Sequence, residues 1–232
     1  MAAKPAHLIT GAASGIGAIV AERLAKRGDQ LWLLARNEVR AKELEDRFPD
    51  SRTLVADLSE PRRLAEVLEN QDMPTRLDSL LHIAGVVDVG AVAELDSKVW
   101  NVTLAVNLAA PAELTRLLLP QVRTAQGHII FLNSRQGLRA NATWSAYAAS
   151  KHGLRALADA LREEEHDSGV RVTSIHPSRT ATPMLQKVHR QEEKEYDATR
   201  WIRPESVATT VLTALDQSRD AEITDLTIGP GR

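Results

Sequence analysis

Tyr147 and Lys151 stand four residues apart in the run Tyr-Ala-Ala-Ser-Lys, inside a stretch whose pattern predicts helix. Positions i and i+4 share a helix face, so the phenol and the ammonium project side by side. A free phenol titrates near pH ~10 and carries protons poorly at neutral pH. Lowering it by ~3 units takes ~4 kcal/mol of selective phenolate stabilisation. An adjacent ammonium in a cleft shielded from water supplies much of that. The pair is a candidate general acid/base that protonates a carbonyl oxygen or deprotonates an alcohol. Two polar residues can join it. Ser134 ends a predicted strand, where its hydroxyl can hold the substrate oxygen. Asn107, on the preceding long helix, can hold a water behind Lys151.

These side chains need a frame. Strands are expected at 7–10, 30–35, 52–57, 77–84, 127–133, 170–176 and 222–228. They alternate with helices at 15–27, 38–47, 60–70, 97–119, 143–167 and 204–216. Pro111 is expected to kink or split the fourth helix. The segment 183–203 reads as a short, polar, irregular substrate loop with room for short helices. Strands separated by helical stretches call for right-handed βαβ units and a mostly parallel sheet. The expected architecture is α/β: one Rossmann-type, doubly wound domain over 1–232, with seven strands flanked by helices. Ligands of such folds bind beyond the carboxyl ends of the strands.

The first of those ends carries Thr-Gly-Ala-Ala-Ser-Gly-Ile-Gly, residues 10–17. Glycines between a strand and a helix let a pyrophosphate approach the backbone, and the helix N-terminus offers free N–H groups. Thr10, Gly11, Ser14, Gly15, Ile16 and Gly17 are the candidate contacts of this turn. The second strand ends in Ala35, Arg36 and Asn37, without the acid that usually grips a ribose 2′-hydroxyl. An arginine fork pairs with a phosphate instead, which points to NADP(H) over NAD(H), the latter still possible. One charged hydrogen bond of roughly 1.5–3 kcal/mol gives about 10- to 150-fold preference. At the third strand end, Asp57 can hydrogen-bond an adenine and Leu58 can pack on its face.

Composition narrows the remaining classes. Lys and Arg number 29 against 31 Asp and Glu, so no basic surplus marks a nucleic-acid binder. The absence of cysteine removes disulfides and thiolate chemistry, and fits a cytoplasmic setting. No run of 18 apolar residues occurs, so no membrane partner is expected. The seven histidines show no metal-ligand spacing, so no metal is expected.

The glycine turn, Asp57–Leu58, Asn107, Ser134 thirteen residues before Tyr147, and Tyr-Ala-Ala-Ser-Lys together resemble the short-chain dehydrogenase/reductase family over essentially the whole chain. The resemblance implies a catalytic tetrad of Asn107, Ser134, Tyr147 and Lys151. Tyr147 would be the acid/base and Ser134 would polarise the carbonyl. Lys151 would lower the phenol's pKa, bind the nicotinamide ribose and start a proton relay through water held by Asn107. Residues 176–184 are similar to the family's stretch after the sixth strand. By that match Thr182 would hold the carboxamide, the backbone at Pro177 and Ser178 would pack on the ring, and the pro-S hydride would transfer. Two departures stand out. His82-Ile83-Ala84-Gly85 replaces Asn-Asn-Ala-Gly, although Ala84 and Gly85 keep the backbone pocket for the adenosine ribose. Ser178 stands where glycine is usual, a strained position if it requires positive φ.

The expected activity is thus hydride transfer between NADP(H) and a small-molecule carbonyl/alcohol pair. The alternative is an NADP(H)-binding redox sensor with little turnover. Arg135, Gln136, Trp144, Arg179 and Met184 are the candidate substrate contacts. The resemblance also implies a homodimer or homotetramer paired through helices 97–119 and 143–167.

Overall fold

The structure, a computed structural model, describes residues 4–231. Seven strands form one parallel sheet: β1 (Ala6–Thr10), β2 (Gln30–Ala35), β3 (Arg52–Val55), β4 (Ser79–His82), β5 (His128–Leu132), β6 (Arg171–Pro177) and β7 (Asp225–Ile228). Their spatial order is β3-β2-β1-β4-β5-β6-β7. The chain winds outward from β1 in one direction and then, from β4, in the other. The crevice at that reversal lies beyond Thr10 and His82, which pair in register.

Helices cover both faces because successive side chains of a strand point to opposite sides. Leu8, Leu80 and Ile129 pack with Leu114, Leu118 and Leu154, from α5 (Ala110–Ala125) and α6 (Ser145–Glu165). Their sequence neighbours Ile9, Leu81 and Ile130 pack with Val20, Leu24, Val207 and Val211, from α1 (Gly15–Arg27) and α8 (Pro204–Leu215). Each such fully buried side chain contributes roughly 1.5–3 kcal/mol against exposure. His82, the departure noted at the end of β4, is absorbed by the first of these cores. Its ring stacks on Phe131 at 4.9 Å, and its Nε2 pairs with the Thr115 hydroxyl at 3.0 Å. Ile83 goes to the opposite core.

The remaining helices are α2 (Glu38–Arg47), α3 (Leu64–Glu69), α4 (Ser97–Leu104) and α7 (Pro183–Gln191). The expected helix 97–119 runs on to Ala125, and Pro111 does not break it. Pro111 sits in the first turn of α5, and the irregularity falls just before it, in a π segment over Ala105–Ala109. Pro120, within α5, is exposed, so the carbonyl it leaves unpaired at Arg116 faces water. By length and hydropathy Ser97–Ala125 would suffice to cross a membrane. Here its apolar stripe of Leu114, Leu118 and Val122 is spent on the sheet.

The segment 183–203 holds α7 and a short turn at Ala198–Arg200. Thr182 caps α7 by accepting from the Leu185 N–H, and Pro183 supplies the preset φ of the first turn. Strands β3, β4 and β7 are shorter than expected, and the predicted helix 60–70 begins with a tight turn at Pro61–Arg63.

Candidate active site

One cavity of about 860 Å³ runs along the carboxyl ends of the strands. The volume suits a substantial organic ligand. Its walls give the placement of each candidate residue.

The phosphate end is built on steric necessity. A Cβ on Gly17 would lie 2.2 Å from the Gly11 carbonyl oxygen, and one on Gly11 would lie 2.8 Å from the Ala84 nitrogen. Gly11 also holds φ of 79° and Gly15 of 55°, where L-residues are strained. The turn therefore closes against β4 only with glycine. Ser14 precedes α1 in extended conformation but makes no side-chain cap, so the first N–H groups of α1 keep no such partner. An uncapped helix N-terminus at a glycine cradle fits a pyrophosphate. Thr182 leans over this turn, its Cγ2 only 3.3 Å from where a Gly15 Cβ would stand.

Two candidate contacts lie off the cavity wall. Thr10 is buried, and its hydroxyl oxygen accepts from both the Ile83 and Ala84 N–H groups at 3.1 Å. It shapes the site by fixing the end of β4 rather than by touching a ligand. Asn37 caps α2, accepting from the Arg40 N–H at 3.0 Å. At this end the wall consists of Arg36 and Arg40, with Asp57 and Leu58 alongside. Arg40, which sequence reasoning missed, pairs with Glu43. Arg36 has no ion-pair or hydrogen-bond partner among the described residues. The signal for Arg40 was its place one turn after the Asn37 cap.

At the other end Ser134, Tyr147 and Lys151 line the cavity together with Ala84 and Gly85. The Ser134 oxygen accepts from the Gln136 N–H at 3.1 Å, which leaves its own O–H free to donate. Tyr147 is buried, and burial pushes its phenol up to about 12, with the Ser134 hydroxyl pulling weakly the other way. Lys151 is also buried, which pushes its ammonium down to about 8. Its Nζ donates to the Leu132 carbonyl at 2.8 Å. The expectation that Lys151 lowers the phenol is not met by the protein's own groups. Burial dominates the phenol, and the Lys151 Nζ sits 5.8 Å from its ring centroid.

Asn107 is fully buried in the π segment and off the cavity wall. Its amide is spent on the Val86 N–H and carbonyl at 2.8 and 2.9 Å, and on the Ser150 hydroxyl at 3.0 Å. The side chain thus splints the loop after β4 to α6. Asn133 is a second splint that sequence reasoning missed. It accepts from the Ser134 N–H at 2.8 Å and donates to the Lys151 carbonyl at 3.1 Å, so it ties two candidate catalytic residues together. Its position beside Ser134 at a strand end was the available clue.

Pro177 and Ser178 line the cavity. Ser178 is absent from the positive-φ positions, so serine there carries no such strain. Of the candidate substrate contacts, Met184, Trp144, Gln136, Arg135 and Arg179 all reach the wall. Arg179, however, is committed. It forms a fork with Glu192 at 2.5 and 2.9 Å, and its guanidinium lies over Trp144 and Trp201 at 5.4 and 5.5 Å. It clamps α7 and Trp201 against Trp144, whose edge meets the Tyr147 ring at 5.7 Å. Among the described residues no cluster of His, Asp or Glu is placed to hold a metal.

The comparisons with known proteins agree with this geometry. The sequence model of the family described as short chain dehydrogenase matches residues 6–193. An uncharacterized oxidoreductase of Staphylococcus saprophyticus is 29% identical, over 96% of each chain. The D-beta-hydroxybutyrate dehydrogenase of Rhizobium meliloti is 32% identical, over 88% of this chain and 81% of its own. A short-chain dehydrogenase from Sphingobium yanoikuyae, solved in complex with NADPH, superposes with a TM-score of 0.79 at 29% identity, over 95% of this chain and 87% of that one. With the glycine cradle at one end of the cavity and a serine, tyrosine and lysine at the other, this chain belongs to the short-chain dehydrogenase family of oxidoreductases.

Proposed function

We propose that the protein is an NADP(H)-dependent oxidoreductase that interconverts a carbonyl compound and its alcohol, with Tyr147 as general acid/base. The observation that carries this reading is a single cavity joining Arg36 and the glycine cradle to Ser134, Tyr147 and Lys151. Cofactor preference rests on Arg36, which keeps its fork for a 2′-phosphate, and on Ala35, which offers no carboxylate to a ribose hydroxyl. Bound nicotinamide supplies or accepts the hydride.

The chain's own groups do the rest. Ser134 donates its O–H to the substrate oxygen, holding it beside Tyr147. Tyr147 gives that oxygen a proton in reduction and takes one in oxidation. Lys151 keeps two N–H donors after its bond to Leu132, enough to hold a ribose hydroxyl and place a positive charge beside the phenol. Trp144 and Met184 add apolar wall to the same cavity.

The test is fluorescence titration with NADPH and NADH, then a carbonyl panel with the tighter binder. Tighter NADPH binding with turnover supports the reading. Binding without turnover on any carbonyl would favour a redox sensor. Cytoplasmic residence and assembly into a homodimer or homotetramer through α4–α5 and α6 belong to the same proposal. Light scattering at micromolar concentration decides the assembly, since a monomer would refute it.

A further inference from the structure

Four arginines and one lysine other than Arg179 line the cavity, yet Asp57 is the one acidic residue on its wall among the described residues. Two of these cations, Arg135 and Arg139, belong to the turn that follows Ser134. The Arg139 N–H donates to the Arg135 carbonyl at 3.0 Å, closing a single helical turn. Both arginines reach the wall of the same cavity. Like charges at this spacing repel, and neither arginine has an ion-pair or hydrogen-bond partner for its guanidinium among the described residues. Of the other arginines on the wall, Arg179 is held by Glu192 and Arg40 by Glu43, while Arg36, also without a partner among the described residues, belongs to the glycine-cradle end.

The turn carrying the pair is held firmly. The buried Gln136 accepts from the Asn141 N–H at 3.1 Å, and Gly137 has no room for a Cβ against Asn133 Oδ1, 2.4 Å away. Thr143, in the same connection, holds φ of 67°, a strained value for a β-branched residue, and its carbonyl accepts from the Gly90 N–H at 2.9 Å. A rigid support for two uncompensated guanidinium groups, beside the serine that holds the reacting oxygen, is a receptor for an oxyanion. Val87, Met184, Leu185 and Val188 line the same cavity with apolar surface, which suits a carbon chain between two polar ends.

We propose that the substrate is a carbonyl compound, or its alcohol, bearing an oxyanion group (carboxylate or phosphate) that Arg135 and Arg139 bind while Ser134 and Tyr147 engage the reacting oxygen. This rests on the carbonyl-reductase reading of the same site. The experiment compares kcat/KM with NADPH for oxo acids of four to six carbons against their methyl esters, and for dihydroxyacetone phosphate against dihydroxyacetone. At least a 10-fold advantage of an anionic member is expected, carried mainly by KM, and the favoured pair tells carboxylate from phosphate. In Arg135→Leu with Arg139→Leu that ratio should collapse towards one, with a Tm close to the parent's. Equal rates within every pair, or a ratio unmoved in the double variant, overturns the proposal while leaving the oxidoreductase reading intact. If no carbonyl turns over, calorimetric titration of glutarate against dimethyl glutarate decides. Binding of the diacid that the double variant loses supports the receptor, and equal or absent binding overturns it. Failure to bind either dinucleotide sinks the oxidoreductase reading separately.

Discussion

Lys151 lies 5.8 Å from the centre of the Tyr147 ring, but its Nζ is aimed at the Leu132 carbonyl 2.8 Å away. The pair on one helix face is thus a buried cation beside a buried phenol, each pushed by burial towards neutrality: the phenol up to about 12, the ammonium down to about 8. Neutral phenol is the form that donates. Carbonyl reduction should therefore hold its rate on the acid side of neutrality, and alcohol oxidation, which needs the base form, should rise with pH between 7 and 9. Tyr147→Phe should reduce turnover by about 10²–10⁴-fold in both directions, with NADPH affinity within a few-fold of the parent. Steady-state pH profiles with parallel binding titrations check this, and retained turnover in the variant would remove the acid/base role.

Arg36 and Arg40 occupy the wall where the second strand hands over to α2. Ala35→Asp with Arg36→Leu should move the NADPH/NADH ratio towards NADH by about 10- to 150-fold, the equivalent of one charged hydrogen bond. Adding Arg40→Leu should move it further, because Glu43 occupies only one side of that guanidinium's fork. Kd values for both dinucleotides give the answer, and an unchanged ratio would refute the 2′-phosphate assignment.

Arg179 couples α7 to Tyr147 through Trp144. Arg179→Met keeps much of the stem but removes the fork to Glu192 and both ring contacts. A loss of about 1–3 kcal/mol is expected from the charged hydrogen bonds, with a shift in tryptophan emission as Trp144 and Trp201 separate. Glu192→Gln added to it should cost little more, since the shared fork is already broken and only the exposed Lys194 contact is left to lose. Chemical denaturation of the four proteins of that cycle measures the coupling, and additive losses would contradict the clamp.

His82 and His128 are buried and neutral, each pushed by burial down to about 3. A depressed folded-state pKa contributes stability above the unfolded value near 6.5 that drains away as pH falls towards 3. Each histidine should then add a slope of about 1.4 kcal/mol per pH unit across that window. His82→Asn gives up the stack on Phe131, so it should be less stable at pH 7, but its deficit should shrink as the pH drops to 4. Urea denaturation at several pH values tests the sign; a constant deficit would mean that His82 does not titrate on unfolding.

Much of this protein could be read from its residues. Hydrophobic runs alternating with helical stretches determined the parallel, doubly wound sheet, because side-chain period and connection length are local properties of a chain. The i,i+4 spacing of Tyr147 and Lys151 and the glycines at 11, 15 and 17 were legible for the same reason. Partnership was not. Only the tertiary structure decided that Thr10 clamps β4, that Asn107 spends its amide on Val86 and Ser150, and that Arg179 is held by Glu192 while Arg135 and Arg139 remain free. Such commitments depend on which groups the fold brings within about 3 Å of one another, and burial, which moved the phenol upward against the sequence-based expectation, exists only once both faces of the sheet have closed.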